Sequence, residues 1–347
     1  MSLLFDEICE QPRVLSEIWD KNISVTKKIA KEFKALELDS IYFTARGTSD
    51  HACIYAKYLF AIKCGIPCTS GTPSVVSQYG ARIKFGNCMV VGVSQSGKAE
   101  DVLAVIEQAK DQGKITVAIT NDAESPLAKA AKYHLYCNAG PEISIAATKT
   151  FTAQMYLLAM LCREISGCDE LEKGLEELPN RLAKMLRYMP SSIEAKVQRY
   201  RYLQNAFVLA RGITYPIALE GALKILETNS LKISGAAISD FYHGPLAQVL
   251  QGDLVIVLAA KGAVYGDAVK MIERLHEIGA EVFVITDCEE LASKEKLAVL
   301  TPSIGEDDLF APYFFAVCLQ LFAYQLTVVK DIDPNKSRVL KKITITK

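Results

Sequence analysis

Val90-Val91-Gly92-Val93-Ser94-Gln95-Ser96-Gly97-Lys98-Ala99-Glu100-Asp101 is the stretch on which the reading of this chain turns. Its first four residues are apolar or small and suit a buried parallel strand. Val102, Leu103, Val105 and Ile106 then recur at the spacing of an amphipathic helix. Between strand and helix lies a hydroxyl-rich turn. Such a turn gathers backbone N–H groups, two hydroxyls and the positive end of a helix dipole at one point, which suits a phosphate, and Lys98 adds charge. Ser94 or Ser96 capping the helix would give the same local sequence.

Working outward, Ile41-Tyr42-Phe43-Thr44 reads as a strand, Ala45-Arg46-Gly47-Thr48-Ser49 as a turn and residues 50–62 as a helix. Further strands are expected at 88–93, 115–120 and 134–137, and helices at 75–81, 101–112 and 125–132. Strands that alternate with helices imply a parallel sheet covered on both faces, with ligands at the carboxyl ends of the strands. A long apolar helix follows at 147–165. The stretch 167–199 is charged and helical, punctuated by Pro179 and Pro190.

The second half repeats the first. Phe207-Val208-Leu209-Ala210-Arg211-Gly212 matches Ile41 to Gly47 at an offset of about 165, and the strand–helix–strand run 254–287 matches 89–121 at nearly the same offset. The copies differ at the turn. Where the first has Ser94-Gln95-Ser96-Gly97, the second has Ala259-Ala260-Lys261-Gly262 and no hydroxyls, so a single phosphate site per chain is expected, in the front copy. The expected domains are an N-terminal helical arm (1–36), a first α/β domain (37–170), a helical linker (171–199) and a second α/β domain with a C-terminal tail (200–347).

The totals narrow the function. The chain has 347 residues, half of them apolar, with 39 Lys plus Arg against 40 Asp plus Glu, a balance that argues against nucleic acid as the main partner. Ten scattered cysteines read as core residues, and Cys64 and Cys68 lack a second pair for zinc; no metal is expected. No apolar run is seen to approach the roughly 20 residues that span a bilayer, and the acidic N-terminus is unlike a signal peptide. A cytoplasmic protein without membrane attachment is expected.

Residues with chemical potential cluster in the second half. Glu220, Lys224 and Glu227 share one face of a helix expected at 216–230, as a surface ladder of ion pairs also would. His243 sits in the turn Asp240-Phe241-Tyr242-His243-Gly244-Pro245-Leu246, and a histidine beside a carboxylate is a natural acid/base pair. Near the end, Lys341 and Lys342 lie in an alternating, strand-like tail. A lysine there is normally solvated, and a pocket would instead let it form a Schiff base.

Several motifs together resemble one family: Arg46 to Ala52, Ser94-Gln95-Ser96-Gly97, Ala139-Gly140-Pro141-Glu142-Ile143 through Ala147-Thr148-Lys149, Ala218 to Lys224 with Glu227, His243-Gly244-Pro245-Leu246 and Leu340-Lys341-Lys342. Over residues 40–347 the chain resembles the double SIS (sugar isomerase) phosphosugar proteins, namely the isomerase half of glucosamine-6-phosphate synthase and the SIS-type glucosamine-6-phosphate deaminases. The implied fold is α/β, with two tandem SIS domains, each a mainly parallel sheet flanked by helices in a flavodoxin-like three-layer sandwich. The resemblance implies Glu227, His243 and Lys342 as the catalytic set: proton-transfer base, ring-opening histidine supplied across a homodimer interface, and Schiff-base lysine. It implies substrate binding by Gly47, Thr48, Ser49, Ser94, Gln95, Ser96, Lys98, Ala99, Ile145, Lys224 and Lys341, and no cofactor. Lys98-Ala99 replaces the Glu-Thr that follows this motif in the synthase, and 234–240 also departs from it. The implied reaction turns glucosamine 6-phosphate into fructose 6-phosphate and ammonia. Residue 2 is Ser, and only about 40 residues precede the first sheet, so use of glutamine is not expected. A fructosamine-6-phosphate deglycase and a non-catalytic sugar-phosphate sensor are the alternatives.

Overall fold

The computed structural model describes residues 2–335 and Lys342. In chain order its helices and strands are α1 (Leu3–Cys9), α2 (Gln11–Ala35), β1 (Ser40–Thr44), α3 (Gly47–Cys64), β2 (Cys68–Ser70), α4 (Pro73–Ser77), β3 (Cys88–Val93), α5 (Glu100–Asp111), β4 (Thr116–Thr120), α6 (Pro126–Ala130), β5 (Tyr133–Tyr136) and α7 (Lys149–Ser166). Then come α8 (Asp169–Met185), α9 (Met189–Val197), β6 (Asn205–Ala210), α10 (Tyr215–Asn229), β7 (Lys232–Ala237), α11 (Ile238–Phe241), β8 (Leu254–Ala259), α12 (Tyr265–Ile278), β9 (Glu281–Thr286), α13 (Glu289–Lys294), β10 (Ala298–Leu300) and α14 (Ala311–Val329).

The chain divides into two compact units. The front unit holds residues 13–142, 149–176 and Lys342; the rear unit holds 2–12, 143–148 and 177–335. The front sheet runs β2-β1-β3-β4-β5 and the rear sheet β7-β6-β8-β9-β10, so each carries the strand order second-first-third-fourth-fifth. All strand pairs are parallel. β3 is buried along its whole length, as a parallel strand between two helical layers must be, and β8 is its counterpart. The α/β fold with two flavodoxin-like sheets is as expected.

In the front unit α3 packs on α7, and α2 lies along β5, where the Asn22 amide donates to the Tyr136 carbonyl at 3.0 Å. α8 continues through Pro179, where the sequence pattern places a punctuation of the helical stretch. Proline removes the N–H that would serve the carbonyl four residues earlier, at Leu175. The Tyr156 hydroxyl donates to that carbonyl at 3.1 Å, which satisfies it and lets the helix continue.

The rear unit is organised on α14, a helix missing from the sequence reading. At 19 residues and mean hydropathy 1.5 it is long and apolar enough to cross a membrane, which corrects the expectation that no such run exists. It is instead a core helix: 89% of its apolar window is buried, and α1, α9 and α10 pack against it. The Asn229 side chain at the end of α10 donates to the Ala323 carbonyl at 3.0 Å, pinning the two helices together.

Candidate functional site

In the front unit the turns after β1 and β3 are neighbours, because the strands that carry them are hydrogen-bonded side by side. Arg46 Nε reaches Asp101 Oδ2 at 2.7 Å, tying the first turn to the first turn of α5. Asp101 is 1% exposed, so this pair is held out of water on its acidic side. Gly47, Thr48 and Ser49 open α3. The Ser49 hydroxyl oxygen accepts from the buried Gln154 amide at 3.1 Å.

The Ser94–Ala99 turn joins β3 to α5. Its hydroxyls do not cap the helix: the N-cap residue is Ala99, with no side-chain cap bond. Instead Ser94 Oγ accepts the Gly97 N–H at 3.2 Å and Ser96 Oγ accepts the Lys98 N–H at 3.3 Å. Accepting these bonds leaves each hydroxyl its own hydrogen to donate. Gly97 has φ +63°, and a Cβ there would stand 2.1 Å from Ser125 Oγ, so only glycine lets this loop lie against α6. The Gly97 carbonyl accepts the Leu127 N–H at 3.2 Å, and the Gln95 carbonyl accepts the Asn121 N–H at 2.9 Å. The loop is therefore bonded to the ends of two further elements. Lys98 is exposed at its tip.

In the rear unit α10 carries the charged trio. Lys224 is buried, with Nζ 2.6 Å from Glu227 Oε2 and 3.3 Å from Glu220 Oε1. Burial pushes its proton affinity down, but the two carboxylates outweigh that; the net direction is upward and the amine stays an ammonium. Glu227 keeps 20% of its side chain exposed, so a carboxylate held by a buried cation still faces outward. The segment 143–148 lies in the same unit. Glu7 accepts the backbone N–H groups of Ile143 and Ser144, while Ala146 and Thr148 line a narrow crevice with Lys224, Thr228 and Gln320. Ile145, half-buried, is part of this segment.

His243 is exposed and borders a cavity of about 320 Å³ lined also by Arg211, Ser239, Tyr242, Asp267 and Lys270. This cavity opens at the carboxyl end of the rear sheet, where α10 begins. Glu227 lies on the same helix about 18 Å further along its axis. Glu227 is not among the residues that line this cavity, whereas the carboxylate of Asp267 is.

Lys342, in the front unit, places Nζ 3.0 Å from Glu142 Oε2. Lys341 and the expected strand-like tail around it lie outside the described residues. In the sequence Glu142 stands out only as part of the Ala139–Ile143 motif. A signal was available, an acid just upstream of an apolar helix start, but its partner could be found only in three dimensions. Among the described residues no group of three or more His, Cys, Asp and Glu is arranged to hold a metal ion, and all ten cysteines are free.

Against known proteins, the SIS domain family model matches residues 37–163 and 203–330. The glutamine–fructose-6-phosphate aminotransferase (isomerizing) of Thermococcus kodakarensis is 32% identical over 353 residues, covering 98% of this chain and 57% of that protein. The chain thus spans little more than half the length of such relatives. Among solved structures, a candidate phosphosugar isomerase from Silicibacter pomeroyi superposes with a TM-score of 0.85 at 28% identity, over 96% of this chain and all of the other. Glucosamine-6-phosphate deaminase from Thermotoga maritima shares the fold, with a TM-score of 0.81 at 21% identity over 99% of this chain and all of its own. With both copies matched, the chain belongs to the SIS domain family and carries two SIS domains.

Proposed function

We propose that this protein is a phosphosugar isomerase that acts on an amino sugar phosphate, converting glucosamine 6-phosphate and water to fructose 6-phosphate and ammonia. The observation that carries this reading is the α10 trio: a partly exposed carboxylate, Glu227, held against a fully buried ammonium, Lys224. Such a pair is costly to bury and suits a base that must keep one orientation.

In this reading Ser94, Gln95 and Ser96, with Thr48 and Ser49, hold the phosphate. Glu227 takes the proton from the second carbon of the open-chain sugar, which is acidified by the neighbouring aldehyde, and returns it to the first carbon. The resulting ketimine takes up water and loses ammonia. His243 opens the sugar ring and belongs to a partner copy in a homodimer; the cavity that His243 borders is lined without the Glu227 of its own chain, which supports that assignment.

Glu227→Gln is expected to lower turnover of glucosamine 6-phosphate, followed by ammonia release, by about a thousandfold at saturating substrate while half-saturation changes little. Unchanged turnover in that variant would overturn the proposal. Release of an amino acid from a fructosamine 6-phosphate, in place of ammonia release, would assign a deglycase. Tight binding of sugar phosphates by the unmodified protein with no turnover of any would make it a sensor.

A further inference from the structure

We infer that Glu142 is the positioning residue for the Lys342 amine, anchoring the C-terminal tail through the first turn of α7; the inference rests on the functional reading above. The Glu142 side chain is fully buried, and a buried carboxylate is stable only among donors. Its Oε1 accepts the Thr150 N–H at 3.1 Å, and its Oε2 accepts the Thr150 hydroxyl at 2.7 Å and Lys342 Nζ at 3.0 Å. Thr150 is the second residue of α7, an 18-residue helix, so the carboxylate is fixed to the positive end of a long, buried rod. The oxygen that holds the lysine is the same one held by the Thr150 hydroxyl.

The lysine side chain is 23% exposed, so a small carbonyl compound can reach the amine. An unanchored lysine side chain would otherwise sample many rotamers, and the anchor replaces that search with one location. The chemistry is compatible with a standing carboxylate. The ammonium and the ketone of a ketose phosphate give a protonated imine and one water: the N–C bond forms, the C–O bond breaks, and the positive charge is conserved on nitrogen. Glu142 therefore faces a cation before and after the step and loses no electrostatic partner.

Glutamine at 142 cannot serve all three donors, because its amide presents an N–H₂ to one of them. The test is borohydride trapping with fructose 6-phosphate on the full chain, followed by mass mapping of the reduced adduct. The wild-type protein is expected to carry the adduct on Lys342. Glu142→Gln is expected to slow trapping at saturating sugar by about tenfold or more, with half-saturation within about twofold of wild type. Thr150→Val should slow it in the same direction and Thr150→Ser should restore it, and this pair decides the matter if the glutamine variant does not fold. Trapping at the wild-type rate in Glu142→Gln or Thr150→Val, or wild-type turnover with no adduct on Lys342, overturns the inference and leaves the proposed function standing. Absence of turnover with any phosphosugar instead removes the functional reading.

Discussion

The two SIS units repeat one another down to single ion pairs, yet their corresponding turns are bonded differently. Arg46 meets Asp101 at 2.7 Å, and Arg211 meets Asp267 at the same distance. Gly47 and Gly212 follow these arginines with φ of +53° and +64°. One turn further on, the front loop presents Ser94, Ser96 and Lys98, whereas the rear loop at Lys261 is occupied from within. There the Asp287 carboxylate accepts the Lys261 N–H at 2.8 Å, and Asp308 lies where a Cβ on Gly262 would touch it at 3.2 Å. Burial raises the proton affinity of both acids from the ordinary carboxylate value, and Asp307 and Asp287 add to the rise at Asp308. A duplicated scaffold keeps its structural ion pair in both copies. The serine hydroxyls stand in the front copy alone, and in the rear copy a carboxylate holds the loop's N–H.

The comparison is broken most decisively at the front loop. Replacing both serines, Ser94→Ala with Ser96→Ala, removes two donors to a charged ligand and is expected to raise half-saturation for a sugar phosphate by about a hundredfold, as steady-state kinetics would show. The rear counterpart, Asp287→Asn, should leave half-saturation within about twofold. Equal effects in the two copies would erase the asymmetry.

The shared ion pairs sharpen it. Asp101 is buried, while Asp267 is 43% exposed in its pair. Asp101→Asn is therefore expected to cost about 2 kcal/mol in denaturant unfolding and Asp267→Asn about 0.5 kcal/mol or less.

The smallest effect concerns pH. Because the folded state holds the Asp287 proton more tightly than the unfolded chain does, its contribution favours folding in acid and is lost as pH rises from about 3.9 through the raised folded value. Asp287→Asn should thus raise Tm at pH 7 relative to pH 4 by about 1–2 °C, read by calorimetry.

Much of this was legible in the residues. The strand–helix alternation, the offset between halves and the loss of hydroxyls in the second turn all follow from local pattern. The edge strands β2 and β10 are three residues long, too short for any periodicity to show. β7, Lys-Ile-Ser-Gly-Ala-Ala, has little strand propensity and is formed by packing: a Cβ on Gly235 would stand 2.4 Å from the Ala218 carbonyl of α10. The acids that fill the rear loop come from 287 and 308, far downstream of Lys261, and no spacing rule links them. The Glu142 anchor is invisible for the same reason, since Thr150 comes from a helix start and Lys342 from 200 residues away.

The packing of residues 2–12 against α14 has a consequence for how this polypeptide is made. The Phe5 ring lies 5.1 Å from that of Tyr324, and the Gln11 amide donates to Gln320 at 2.8 Å across 309 residues of chain. At a ribosomal pace of roughly 5–20 residues per second, residues 2–12 wait on the order of half a minute for this partner. By then every strand of the front sheet has long since emerged. Assembly of the rear core is thus postponed until α14 has been made, and a nascent chain stalled before Ala311 would offer the bare face of α10 to chaperones.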